Sequence, residues 1–150
     1  IIMKSVKISK THVTTKYEKE DFEVFKNELF FYLLGQQKRL SFIPKLVSYD
    51  CSKLIICVEN VGTTLEEYCN SGEELDTFLP KIKKIYDKFV KMGYYHNDLR
   101  YKNIIINPDT KNLYLIDFEF TDREYKDLDE EDIVKKITKH KRHKRQTRKR

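Results

Sequence analysis

Apolar positions along the chain change their period several times, and each change marks an element. Val6 to Ile8 and Val13 to Lys16 read as two short strands joined by a turn at Ser9-Lys10-Thr11-His12. From Glu20 to Arg39, Phe22, Phe25, Leu29, Phe30, Leu33 and Leu34 recur at three- and four-residue intervals, which predicts a helix of about five turns. Pro44 ends any helix, and Lys45 to Tyr49 and Lys53 to Val58 then read as two strands around the turn Asp50-Cys51-Ser52. Gly62 closes that unit. Leu65 to Cys69 predicts a short helix, and Leu75 to Met92 a longer one that stops at Gly93. Ile104 to Ile106 and Leu113 to Ile116 are aliphatic runs separated by Asn107-Pro108-Asp109-Thr110, the signature of a hairpin. No internal repeat and no Ser/Gly linker interrupts this order.

Composition limits what such a chain can be. A length of 150 residues, with 39% hydrophobic and 13% aromatic residues, is enough for one core that buries roughly two thirds of the unfolded surface. No apolar run approaches the roughly 18 residues of a membrane span, and Ile1-Ile2-Met3 is too short for a signal-peptide core, so a cytosolic or nuclear location is expected. Cys51, Cys57 and Cys69 lack the spacing of a zinc knuckle and read as reduced structural thiols. The net charge of +6 hides a split. Residues 135–150 hold ten Lys or Arg and no acid, which leaves 20 basic against 24 acidic residues, a net −4, in the rest. Such a basic tail repels itself and is expected to stay extended unless nucleic acid, an import receptor or an acidic protein neutralises it; a solubilising role is the plainer reading.

The chemistry-bearing residues flank the hairpin. His96-Asn97-Asp98-Leu99-Arg100-Tyr101-Lys102-Asn103 precedes it and Asp117-Phe118-Glu119 follows it. A hairpin that begins beside Asn103 returns the chain to the same end, so Asp117 should lie next to Asn103. One amide and one carboxylate can then share a Mg²⁺, a hard cation that favours oxygen ligands, and Asp98 stays free to act as a base. Taken alone, His96 is better read as a core histidine than as a catalyst.

Tyr94 to Phe120 resembles the catalytic loop and metal-binding turn of protein kinases and their small-molecule kinase relatives. The resemblance implies an α+β, two-lobed protein-kinase-like fold. Its small lobe would span residues 1–60, a truncated helical lobe residues 61–134, and the basic tail residues 135–150. It also implies ATP and Mg²⁺ as cofactors, Asp98 as the base for the acceptor hydroxyl, Arg100 on the transferred phosphate, and Asn103 and Asp117 on the metal. Upstream, Val13-Thr14-Thr15-Lys16 resembles the strand that carries the phosphate-contacting lysine, and Glu28 its helix partner, which predicts a Lys16–Glu28 ion pair; Lys10 and Glu23 compete for these roles. Glu59-Asn60-Val61-Gly62 resembles the hinge, with backbone groups of Glu59 and Val61 meeting adenine.

Departures from the pattern are informative. No glycine occurs before Gly35, so the glycine-rich loop between the first two strands is expected to be missing, with Lys7 and Lys10 as substitutes. Asn97 stands where regulated protein kinases carry the Arg that reads a phosphorylated loop. Asp-Phe-Glu replaces Asp-Phe-Gly, which is closer to choline-kinase-like enzymes. After Phe120 the helices that normally bind a protein substrate and brace the catalytic loop are expected to be missing. Three functions fit: a minimal Ser/Thr protein kinase as the leading expectation, a phosphotransferase acting on a small hydroxylated or amino-alcohol acceptor, and a non-catalytic binding module.

Overall fold

The computed structural model describes residues 1–128 and 130–138. Four antiparallel strands, β1 (Lys4–Ile8), β2 (His12–Tyr17), β3 (Leu46–Asp50) and β4 (Ile55–Glu59), form one sheet in the order β1-β2-β4-β3. Helix α1 (Phe22–Gln37), entered through a 3-10 turn at Lys19–Asp21, lies between β2 and β3 in the chain. Of the predicted stripe it buries Phe25, Leu29 and Leu34, while Phe22, Phe30 and Leu33 are exposed and Phe31 and Tyr32, outside that stripe, face the core instead. The β3–β4 turn is pinned by Asp50, whose Oδ1 accepts from the backbone N–H groups of Ser52 and Lys53 at 2.9 and 3.0 Å.

The second sheet has the order β5-β6-β7, from β5 (Thr63–Thr64), β6 (Ile104–Ile106) and β7 (Leu113–Leu115). The hairpin β6–β7 is the predicted one, closed by Asn107 Oδ1 accepting from the N–H groups of Asp109 and Thr110. Strand β5 is too short to read from alternation. Around this sheet lie α2 (Leu65–Tyr68), α3 (Gly72–Asp76) and α4 (Leu79–Lys91). The single helix expected over Leu75 to Met92 is therefore two. Pro80 has no N–H to give and suits only a first helical turn, so a new helix begins beside it and the run breaks at Thr77-Phe78.

Gly62 joins the two halves. A Cβ there would stand 2.0 Å from the Ile106 carbonyl oxygen, so only glycine lets the connection lie flat on β6. The chain after Phe120 does more than the sequence suggested. Residues 134–138 form a helical turn, Ile133, Val134 and Ile137 are buried, and the Ile133 N–H donates to Leu99 C=O at 2.8 Å. This segment braces the catalytic loop, and residues 135–138 of the expected basic tail belong to the folded body. Residues 139–150, which carry most of that tail's charge, lie outside the described residues. No helix among the described residues is long and apolar enough to cross a membrane.

Candidate active site

Gly93, at φ 96°, ends α4 and releases the loop that carries His96 to Asn103. Tyr95 and Asp122 exchange backbone hydrogen bonds at 2.7 and 3.0 Å, tying this loop to the segment beyond the metal turn. His96 is 2% exposed. Its Nδ1 accepts from the Asp98 N–H at 3.2 Å, which puts the ring proton on Nε2, and Nε2 donates to Ile116 C=O at 2.8 Å. Burial lowers its pKa to about 4, so the ring is neutral and its part is support, as the sequence reading had it.

Asn97 sits at φ 66°, in the left-handed region that short polar residues tolerate better than others. Its Nδ2 donates to the carbonyls of Phe120 and Glu124, both at 3.0 Å, and its Oδ1 accepts from the Lys126 N–H at 2.8 Å. One side chain thus fixes the segment from 120 to 126. The sequence marked Asn97 only by what it replaces. This clasp was not legible.

Asp98 is 6% exposed, with one carboxylate oxygen 3.1 Å from Asn103 Nδ2 and the other 3.2 Å from Arg100 Nε. Asn103 Nδ2 also donates to the Asp98 carbonyl at 2.9 Å. Because the amide nitrogen of Asn103 is turned to Asp98, its Oδ1 is the atom left to ligate a cation. Arg100 spans Asp98 and Glu131, at 3.3 Å from the latter, beside a recess of about 400 Å³ lined by Glu66, Tyr101, Lys102, Glu131, Asp132 and Lys136.

The hairpin closes the site as expected. Ile104 pairs with Leu115, and one step out the Ile116 N–H donates to the Asn103 carbonyl at 3.1 Å, so Asp117 follows a residue bonded to Asn103. Asp117 adopts φ 64°, and its Oδ1 is a buried oxygen with no hydrogen-bond partner among the described residues. Such an orphaned acceptor fits a bound cation. Among the described residues no three or more His, Cys, Asp or Glu gather in a metal-holding group, so a cation at Asp117 and Asn103 would need further oxygens from a ligand.

Helix α1 grips the metal turn. Glu28 accepts the Phe118 N–H, while Asn27 Nδ2 donates to the carbonyls of Phe118 at 2.8 Å and Thr121 at 3.0 Å. The Phe118 ring is fully buried against Phe31, Tyr32, Phe89 and His96. Burial first, then the nearby Asp117 and Glu119, push the Glu28 carboxyl up to about 8. Glu119 is also shifted upward, by burial and by Asp117. Its Oε2 accepts from Lys4 Nζ at 2.7 Å and from the Tyr17 hydroxyl at 2.8 Å.

The expected Lys16–Glu28 pair is corrected by this geometry. Strand alternation turns Val13, Thr15 and Tyr17 toward the cleft and leaves Lys16 exposed on the opposite face. The lysine that enters is Lys4, from β1, with Nζ 3.7 Å from Asp117 Oδ2. Among the competitors, Glu23 is exposed and pairs with Lys26, and Lys10 lies in the β1–β2 turn. That turn is at the hinge end, because the Asn60 N–H donates to Thr11 C=O at 3.0 Å and Asn60 Nδ2 to Ser9 C=O at 2.7 Å. It is therefore remote from the carboxylates whatever residues it contains, and neither Lys10 nor the outward Lys7 substitutes there for a phosphate-covering loop.

Between the sheets lies a cavity of about 320 Å³. Its walls are apolar near the hinge, with Val6, Ile8, Val13, Ile56 and Val58 above and Ile105 and Ile116 below; its inner end holds Lys4, Glu28 and Asp117. The hinge residues Glu59, Asn60, Val61 and Gly62 form the rim. The N–H groups of Glu59 and Asn60 are engaged by the carbonyls of Lys45 and Thr11.

A strand-and-helix lobe and a helical lobe enclosing such a cavity, with Asp117 at its inner end and the Asp98–Asn103 pair joined to the residue before it, define a member of the protein-kinase-like superfamily. The chain belongs to the choline/ethanolamine kinase family, whose sequence model matches residues 12–135. Among solved structures it is similar to monomeric WbdD, with a TM-score of 0.58 and 15% identity over 80% of this chain and 33% of that one. It is similar also to a structure of WbdD described as a bifunctional kinase-methyltransferase, with a TM-score of 0.58, 14% identity, and 81% and 30% of the two chains covered. The chain thus spans about a third of these structural neighbours. No curated protein sequence matches it.

Proposed function

We propose that this chain is an ATP- and Mg²⁺-dependent phosphotransferase that phosphorylates the hydroxyl of a small amino alcohol. The observation that carries the reading is the Asp98–Asn103–Asp117 arrangement: a fixed, nearly buried carboxylate beside an amide, with the orphaned Asp117 oxygen brought close by the hairpin. Family membership supports a small-molecule acceptor over the Ser/Thr protein acceptor that the sequence put first. The recess beside Arg100 is of mixed charge, with Glu66, Glu131 and Asp132 alongside Arg100, Lys102 and Lys136, so it does not by itself select an ammonium group.

In this reading Val6, Val13, Ile105 and Ile116 would hold adenine, with backbone groups at Glu59 and Val61 as its polar partners. Asn103 Oδ1 and Asp117 would hold Mg²⁺, which would supply charge neutralisation for the phosphates. Asp98 orients the acceptor hydroxyl and takes its proton as the new O–P bond forms and the bond from the γ-phosphorus to the bridging oxygen breaks, releasing ADP. Arg100, held against Asp98, offers positive charge to the phosphoryl group in transit.

The test is label transfer from γ-labelled ATP to ethanolamine, choline and a Ser/Thr peptide, with wild type and Asp98→Asn. We expect labelled amino alcohol, a 10²–10⁴-fold loss in the variant, and an almost unchanged melt, since Asn still accepts from Asn103. Undiminished transfer by Asp98→Asn overturns the assignment. Label on the peptide alone restores the protein-kinase reading. Transfer to none of them, with no melting-temperature rise on adding Mg-ATP, favours the binding module.

A further inference from the structure

We propose that Lys4, on the first strand, is the residue that contacts the nucleotide's phosphates, taking the place of a lysine on β2, and that Glu119 and Tyr17 hold it there. The proposal rests on the phosphotransferase reading and adds to it a residue that the sequence motifs do not mark.

Three observations converge on Lys4. Its strand alternates so that Lys4, Val6 and Ile8 face the cavity, and Lys4 is at the inner end, beside Asp117. Strand β2 delivers Val13, Thr15 and Tyr17 to the same cavity and no basic side chain. Among the described residues lining that cavity, Lys4 is the one Lys or Arg, and it faces Glu28 and Asp117 at the inner end.

A polyphosphate entering such a place meets carboxylates, so it needs cations: a metal at Asp117 and Asn103 neutralises part of the charge, and a fixed ammonium supplies the rest. Lys4 is oriented for this. Glu119 Oε2 takes Lys4 Nζ at 2.7 Å and the Tyr17 hydroxyl at 2.8 Å, so the ammonium is anchored on one side. An ammonium has three donors, and its side chain remains 28% exposed, so donors remain for a ligand in the cavity. Glu119 in place of a glycine acquires a reason: it steadies a lysine that arrives from a different strand.

The register supplies a decisive test. Lys4 pairs with Tyr17 and Val6 with Thr15, so Thr15 faces the same cavity on the adjacent strand, within reach of a lysine side chain from the same phosphate position. Binding of Mg-ATP and of adenosine is measured by calorimetry for wild type, Lys4→Met, Lys16→Met and Lys4→Met combined with Thr15→Lys, each with its melt recorded without nucleotide. We expect Lys4→Met to weaken Mg-ATP at least tenfold while adenosine, which has no phosphate, binds as before. Lys16→Met binds as wild type, and Thr15→Lys restores most of the lost affinity. Equal Mg-ATP affinity in wild type and Lys4→Met, or equal losses for ATP and adenosine, overturns the assignment of Lys4 and leaves the phosphotransferase reading standing. Should Lys4→Met prove unfolded, the relocated double variant decides: a folded protein without phosphate-dependent binding overturns the proposal. Wild type that binds neither ligand overturns both readings.

Discussion

Replacing Glu28 by Gln removes a titrating group while keeping an oxygen that can accept the Phe118 N–H. Glu28 is fully buried, and its carboxyl is displaced from an ordinary 4.5 to about 8. The sign follows from proton counting. Below pH 4.5 both folded and unfolded chains hold the proton and the stabilisation is fully present. Between there and about pH 8 the folded chain keeps a proton that the unfolded chain has released, so stability falls by about 1.4 kcal/mol for each pH unit. Above pH 8 the loss is complete. The window from pH 7 to pH 9 isolates Glu28 from His96, whose depressed pKa acts only below its ordinary 6.5. Across it Glu28 should contribute a loss of roughly 1–2 kcal/mol, or a few °C in Tm for a chain of this size. Urea unfolding followed by circular dichroism at the two pH values, for wild type and Glu28→Gln, reads the difference directly. Parallel declines in the two proteins would refute the burial argument for Glu28.

Two further perturbations probe the scaffold. Gly62→Ala forces a Cβ into the Ile106 carbonyl and should cost roughly 1–3 kcal/mol or more, read as a lower urea midpoint; an unchanged midpoint would mean the connection can shift off β6. Asn97→Ala removes three hydrogen bonds from the segment 120–126 and should lower hydrogen-exchange protection there by at least tenfold, with α1 unaffected; equal protection would show that the packing of 133–137 alone holds the segment.

The parts of this fold that were legible in the sequence are those where local chemistry and tertiary structure agree. The helical spacing of α1 marked the element but not its buried face, since Phe22, Phe30 and Leu33 are exposed, whereas the Asn107-Pro108-Asp109-Thr110 turn states its own geometry, and the hairpin between Asn103 and Asp117 therefore predicted its own consequence. Lys16 failed for a reason of parity. A strand's side chains alternate, so one residue of misjudged register moves a lysine from cleft to solvent, and β2 is too short and too polar to reveal its inward face. Pro80 was legible but outweighed by the periodicity around it. The roles of Asn27, Asn97 and Glu119 were not, because each acts on backbone or side chains 23 to 115 residues away in the chain, and nothing local announces such a partner.

The bonds from Thr11 and Ser9 to Asn60 bind the tip of the first hairpin to the connector between the lobes. The roof of the cavity is consequently tied down at the hinge edge, and at the opposite edge it is tied down again, where Lys4 and Tyr17 both bond to Glu119. Roof and floor are thus fastened at both ends of the cavity, and any widening of it has to break one of these two sets of bonds.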